Sequence, residues 1–133
     1  MADETRVTIG HDSDIVTARQ KGREIAVQVG FKGTDLTLIA TAISEVARNI
    51  LTYAKTGEIV VDAVTLGPRK GIQVVADDHG PGIANIEEAM RDGFSTGNSL
   101  GLGLPGAKRL MDEFEIKSQV GQGTTVTMKK WVR

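Results

Sequence analysis

Apolar and polar residues alternate over Thr5–Ile9, a pattern that predicts a short strand. The period then changes. Ile15, Ala18, Ile25 and Val29 recur at helical spacing, so a helix is predicted from a cap at Asp12 or Ser13 up to Gly30. Phe31–Gly33 is a connector. A second helix, capped by Thr34 or Asp35, carries Leu36, Ile39, Ile43, Val46 and Ile50 on one face and ends before Gly57. Glu58–Leu66 and Lys70–Ala76 are β-branched runs joined by Gly67-Pro68-Arg69, a hairpin signal. From Asp78 to Gly103 the chain is rich in glycine and holds one short helical piece near Ile86–Arg91. Leu104–Glu113 reads as a third helix. Phe114–Val120 and Thr125–Val132 read as strands around Gly121-Gln122-Gly123, a second hairpin.

Adjacent hairpins argue against a purely parallel, doubly wound sheet. Helices between hairpins favour an α+β fold, a two-layer sandwich whose mixed, mostly antiparallel sheet is covered by helices on one face. The other face is expected to be partly polar, through Asp62, Thr65, Lys117, Gln119, Thr127 and Lys129. The 133 residues contain no repeat and no linker, which fits one domain over 1–133. Trp131 is expected in the core.

Composition narrows the chemistry. With no cysteine there is no disulfide framework, thiolate nucleophile or cysteine-based zinc site. The N-terminus MADETRVTIGHD lacks the apolar stretch of a signal peptide, and no apolar run is long enough to span a bilayer, so a cytoplasmic location is expected. Sixteen basic side chains against seventeen acidic ones leave no electrostatic footprint for nucleic acid or an anionic membrane. Glycine is in excess, at about 12% against an average of about 7%. Most of it lies after residue 56 in three clusters, which is more than ordinary turns need.

Four features carry candidate chemistry. Glu45 and Asn49 are four apart, so they lie one turn apart at the margin of the second helix's apolar stripe. A half-dry carboxylate and amide suit a base and a metal ligand, though each alone also reads as a solvated helix residue. Asp77-Asp78-His79-Gly80-Pro81-Gly82 follows a buried strand, placing a carboxylate at a pocket rim where it can accept from an amino group. A plain turn is the alternative, and His79 and His11 read as spectators. Gly101-Leu102-Gly103-Leu104-Pro105-Gly106 opens a helix whose free N–H groups suit phosphates, after a polar, lid-like stretch from Gly93 to Leu100. The dinucleotide fingerprint fails here because no strand precedes the glycines. The Walker A pattern fails because Ala107 stands where lysine is required. Gly121-x-Gly123-Thr124 is a tight turn whose threonine hydroxyl can support the aspartate.

Taken in order, these features resemble the GHKL (Bergerat-fold) ATPase superfamily. Glu45-x-x-x-Asn49 corresponds to its N box, and Asp78-x-Gly80-x-Gly82, Gly101-Leu102-Gly103-Leu104 and Gly121-x-Gly123-Thr124 to its three glycine boxes. Thr41–Asn49, Asp92-Gly93-Phe94-Ser95-Thr96, Gly103–Phe114 and the C-terminal Lys130-Trp131-Val132-Arg133 are similar to the RsbT-type serine/threonine switch kinases of the stressosome. The resemblance implies ATP and Mg²⁺ as cofactors. It implies that Asn49 holds Mg²⁺, that Asp78 reads the adenine amino group and that Gly80, Gly82 and Thr124 shape the adenine slot. Gly101, Leu102, Gly103 and Leu104 are implied to cradle phosphates, with Glu45 as general base. It further implies STAS-domain substrates and a PP2C-type phosphatase as partners. An anti-sigma-factor kinase of the same fold and a non-catalytic GHKL binding module are the alternatives, with a histidine-kinase fragment and an NAD-dependent enzyme behind them.

Overall fold

The computed structural model describes residues 4–90 and 103–133. Strand β1 (Thr5–Ile9) leads into α1 (Asp12–Val29) and α2 (Thr34–Tyr53). The hairpin β2 (Gly57–Leu66) and β3 (Arg69–Asp78) follows, then the one-turn α3 (Ile86–Ala89) and α4 (Gly103–Leu110). A second hairpin, β4 (Glu113–Gln119) and β5 (Gly123–Trp131), ends the described fold.

The strands form one sheet in the order β1-β2-β3-β5-β4, and every pairing is antiparallel. The mixed character expected of the sheet is therefore not found among the described residues. The reason lies in the crossover. β3 and β4 run in the same direction, but β5 folds back between them, so the two like-directed strands never touch.

Alternation decides which face is covered. Val7 and Ile9 of β1, Ile59 and Val61 of β2, Ile72 and Val74 of β3, and Val126 and Met128 of β5 point to the helices and are buried. They meet Ile15, Ala18 and Ile25 of α1 and Ile39, Ile43, Val46 and Ile50 of α2. α1 and α2 approach closely because Gly22 faces Ile43: a Cβ on Gly22 would lie 2.1 Å from the Ile43 Cδ1. α4 packs on α2 and adds Leu104 and Ala107 to the core. No helix among the described residues is long and apolar enough to cross a membrane.

Element ends differ from the sequence expectation where side chains intervene. α1 begins after His11, not on a cap at Asp12 or Ser13. The Asp14 carboxylate accepts from the N–H groups of both Gly10 and His11, at 2.9 Å each, and so closes the first turn from inside the helix. α4 stops at Leu110, three residues short of Glu113. There the Lys130 ammonium donates to the Leu110 carbonyl at 2.9 Å, and the Asp112 N–H pairs with the Lys129 carbonyl. The chain is drawn into the sheet before the helix can continue.

Trp131 is buried, but against the open face of the sheet rather than beneath the helices. It lies across Gly71, under the Arg69 guanidinium at 4.6 Å, and its indole N–H donates to Glu113 at 2.7 Å. Cation and aromatic ring form a small second core on that face.

Candidate active site

A cavity of about 430 Å³ opens between α2, the loop after β3, α3 and the start of α4. This is a size that takes a small-molecule ligand. Glu45, Asn49, Asp78, Gly82, Gly103, Leu104 and Thr124 all line it. Seven positions drawn from four separate stretches of sequence thus face one space. Gly80 is not among the lining residues, but its N–H donates to Asp78. Gly101 and Leu102 lie outside the described residues, as does the Gly93–Leu100 stretch read as a lid.

α2 is the floor. Its helical period places Glu45, Asn49 and Thr52 on the cavity side while Ile39, Ile43, Val46 and Ile50 enter the core. Glu45 is almost wholly enclosed, 3% exposed, deeper than a margin position suggests. Its Oε1 accepts a 3.0 Å hydrogen bond from the Gly103 N–H. Gly103 has a φ of +54°, a conformation glycine adopts without strain, and it turns that N–H toward α2 as α4 begins. Asn49, one turn further along α2, is half-buried beside it.

β3 ends on Asp78, which is 6% exposed. Its Oδ1 accepts from the Gly80 N–H at 2.9 Å and the Thr124 N–H at 3.2 Å. Both bonds fall on one oxygen, so Oδ2 is left to a ligand. Thr124 therefore supports the aspartate through its backbone, not through its hydroxyl as the sequence suggests. The hydroxyl instead meets Ser118 Oγ at 2.7 Å. Ser118 also accepts from the Ile83 N–H at 2.6 Å and lies 3.1 Å from the Gly123 carbonyl. This serine, which ties the glycine loop to the β4–β5 hairpin, has no sequence signal beyond its alternation in β4.

The glycines of this loop are needed for reasons the sequence leaves hidden. A Cβ on Gly80 would stand 2.5 Å from the Ala54 Cβ. One on Gly82, where φ is +77°, would stand 2.3 Å from the Gln119 carbonyl. The crowding comes from the protein itself. The loop is pressed between α2 and the second hairpin, and the Gly121 N–H donates to the Pro81 carbonyl at 2.8 Å. The cavity wall is built by that clamp.

His79 is exposed and takes no part. Arg48, passed over in the sequence, also lines the cavity, and its Nε is buried with no hydrogen-bond partner among the described residues.

These residues fit a nucleotide. One end offers a carboxylate oxygen beside a glycine loop, the other a helix start, an amide and an arginine whose Nε is buried without a partner. No cluster of three or more histidine and acidic side chains able to hold a metal alone occurs among the described residues. A cation here would need ligands from the nucleotide, which suits Mg²⁺ held by Asn49 together with phosphates.

Comparison with known proteins agrees with the geometry. The histidine kinase-like ATPase domain matches residues 11–130. The serine/threonine-protein kinase RsbT of Bacillus subtilis (strain 168) is 50% identical over 133 residues, covering all of both chains. An anti-sigma F factor of Caldanaerobacter subterraneus subsp. tengcongensis is 36% identical over 100 residues, 71% of this chain and 68% of that protein. Among solved structures, the mycobacterial sensor histidine kinase MprB superposes with a TM-score of 0.57 at 14% identity, over all of this chain and 99% of that one. The SiaB–SiaC complex from Pseudomonas aeruginosa gives 0.55 at 12% identity, over 99% of this chain and 89% of that one. Those two show a shared fold. The full-length identity and the domain match go further: the chain belongs to the histidine kinase-like ATPase (GHKL) family, on its RsbT-type serine/threonine kinase branch.

Proposed function

We propose that this chain is a Mg·ATP-dependent protein serine/threonine kinase acting on a STAS-domain scaffold or antagonist of a stressosome. By that reaction it changes partners and activates a PP2C-type phosphatase in a sigma-factor stress pathway. The observation that carries the reading is the single cavity faced by Glu45, Asn49, Asp78, Gly103 and Thr124. The likeness to RsbT over the whole length supplies the class of partner. The chain acts as one unit over 1–133, in the cytoplasm.

Each residue then has a task. Asp78 Oδ2 accepts from the adenine amino group while Gly80, Gly82 and Thr124 hold the carboxylate and the slot in place. Gly101, Leu102 and Leu104 present N–H groups to the phosphates, and Gly103 does so on releasing the Glu45 carboxylate. Asn49 offers its side-chain oxygen to Mg²⁺. Bound Mg²⁺ supplies charge neutralisation across the phosphate oxygens. Glu45 takes the proton of the incoming hydroxyl. Its enclosure keeps bulk water from that oxygen, which favours transfer to a protein hydroxyl over hydrolysis.

An anti-sigma-factor kinase is the second reading, favoured by the 36% identity to anti-sigma F factors. One experiment separates the two. Purified protein with labelled Mg·ATP is offered STAS-domain proteins and sigma factors from the same cytosol, and both label transfer and retention are read. Label on a STAS protein with no sigma factor retained supports the switch kinase. Stable retention of a sigma factor supports the second reading. Absence of transfer to any protein would leave a binding module.

A further inference from the structure

Among the described residues, three carboxylates line the cavity, those of Glu45, Asp78 and Glu88. Against them stands one cation, the Arg48 guanidinium. Beyond Mg²⁺ and the N–H groups at the start of α4, Arg48 is the cationic side chain among the described lining residues that can offset a polyphosphate. Arg48 is also unfinished: its Nε is buried and donates to nothing among the described residues. A buried donor left unpaired carries its full desolvation cost, so the side chain is held ready for an acceptor that arrives from outside.

Its place along α2 says which acceptor. The loop carrying Asp78 and Gly80 meets α2 at Ala54, where a Gly80 Cβ would strike the Ala54 Cβ. The start of α4 meets α2 at Glu45, through the Gly103 N–H. Glu45 and Ala54 are about 13 Å apart along the helix axis, roughly the span from an adenine to a terminal phosphate. Arg48 is about 4.5 Å from Glu45 on that scale and about 9 Å from Ala54. Helical side chains lean toward the N-terminus, which carries the guanidinium further toward Glu45. It stands at the end where transfer occurs, away from the adenine.

The geometry points to Arg48 as a ligand of the terminal phosphate of ATP, one that clamps the phosphoryl group as it moves and makes the site prefer ATP to ADP. This rests on the kinase reading above. In the transfer, the bond from the acceptor hydroxyl oxygen to phosphorus forms as the bond from phosphorus to the ADP oxygen breaks. The hydroxyl proton passes to Glu45, and the bonding electron pair leaves with ADP. Charge spreads over the three equatorial phosphoryl oxygens, and the planar guanidinium, with parallel N–H donors, meets two of them at once. A lysine would offer the charge without the fork.

The test uses the full chain and calorimetric titration with two ligands, Mg·ADP and a non-hydrolysable Mg·ATP analogue, on wild type, Arg48→Gln and Arg48→Lys. Thermal melting of each variant confirms folding, and glutamine and lysine both keep helix propensity. Arg48→Gln should lose about 10- to 100-fold in affinity for the ATP analogue while ADP affinity stays within about threefold. Arg48→Lys should recover part of the loss. If Gln does not fold, the partial loss of ATP preference in Lys decides the matter. Equal losses for both nucleotides would make Arg48 a structural or inner-phosphate residue and overturn the assignment, as would a variant with the wild-type preference. A wild-type chain that bound neither nucleotide would overturn the kinase reading, and this assignment with it.

Discussion

The Glu45 carboxylate accepts a 3.0 Å hydrogen bond from the Gly103 N–H, joining the middle of α2 to the first residue of α4. The bond puts the candidate base against the very N–H that a phosphate would seek. It also holds the start of α4 over the cavity.

Glu45→Gln tests the base. Glutamine keeps an oxygen for the Gly103 N–H, so α4 should stay in place and ATP should bind near the wild-type level. Phosphorylation of the partner should fall by roughly 10²–10⁴-fold, the usual worth of a positioned general base. Single-turnover transfer from labelled ATP measures it. Transfer at the wild-type rate would move the base to the partner.

Asp78→Asn should separate binding from folding. The amide oxygen can still accept from the Gly80 and Thr124 N–H groups, but the second acceptor becomes a donor, which in the proposed role of Asp78 would face the adenine amino group. A hydrogen bond to a charged group is worth about 1.5–3 kcal/mol, so affinity should drop roughly 10- to 150-fold with the melting curve nearly unchanged. Calorimetric titration reads the first and thermal unfolding the second.

Ser118→Ala probes the clamp behind the glycine loop. It removes the acceptor of the Ile83 N–H and the partner of the Thr124 hydroxyl. The expected cost is about 1–3 kcal/mol in urea unfolding, because a part-buried N–H is left without its partner. Nucleotide affinity should weaken as the cavity wall loosens. An unchanged midpoint would show that water replaces the hydroxyl at no cost.

Gly22→Ala tests the helix contact. Alanine is the better helix former by about 1 kcal/mol, yet its Cβ would stand 2.1 Å from the Ile43 Cδ1. Ile43 is fully enclosed, so its methyl has nowhere to turn. Overpacking should win, with a net loss of about 1–2 kcal/mol. Ile43→Val removes the offending methyl, and the double variant should recover most of the loss. Additive effects in the double-mutant cycle would show that the clash is relieved elsewhere.

The legible part of the protein is what periodicity and local chemistry can write. Both long helices, both hairpins and the strand at Thr5–Ile9 follow from spacing, because each buries one face. The convergence of Glu45 and Asn49 with Asp78 and Thr124 was readable only through the order of boxes. Nothing local says that β5 returns between β3 and β4. What stayed hidden depends on contacts distant in sequence. Gly80 is glycine because of Ala54, and Gly82 because of Gln119. Ser118 matters through Ile83, 35 residues earlier. Arg48 carries no signal in the sequence because an arginine on a helix is normally solvated, and only the structure shows its Nε enclosed. Trp131 was readable as buried, but its side of the sheet needed the register against Gly71.

The sheet order also has a consequence for a chain that leaves the ribosome from its N-terminus. β5, the last of the five strands in chain order, sits between β3 and β4. Until residues 123–131 emerge, β3 has a bare inner edge, β4 has no neighbour and Asp78 lacks the Thr124 N–H. A nascent chain short of that point carries all four described helices and a three-stranded sheet with an open, aggregation-prone border. It has no completed pocket. Completion of the cavity, and any nucleotide capture that depends on it, therefore waits until β5 has been made.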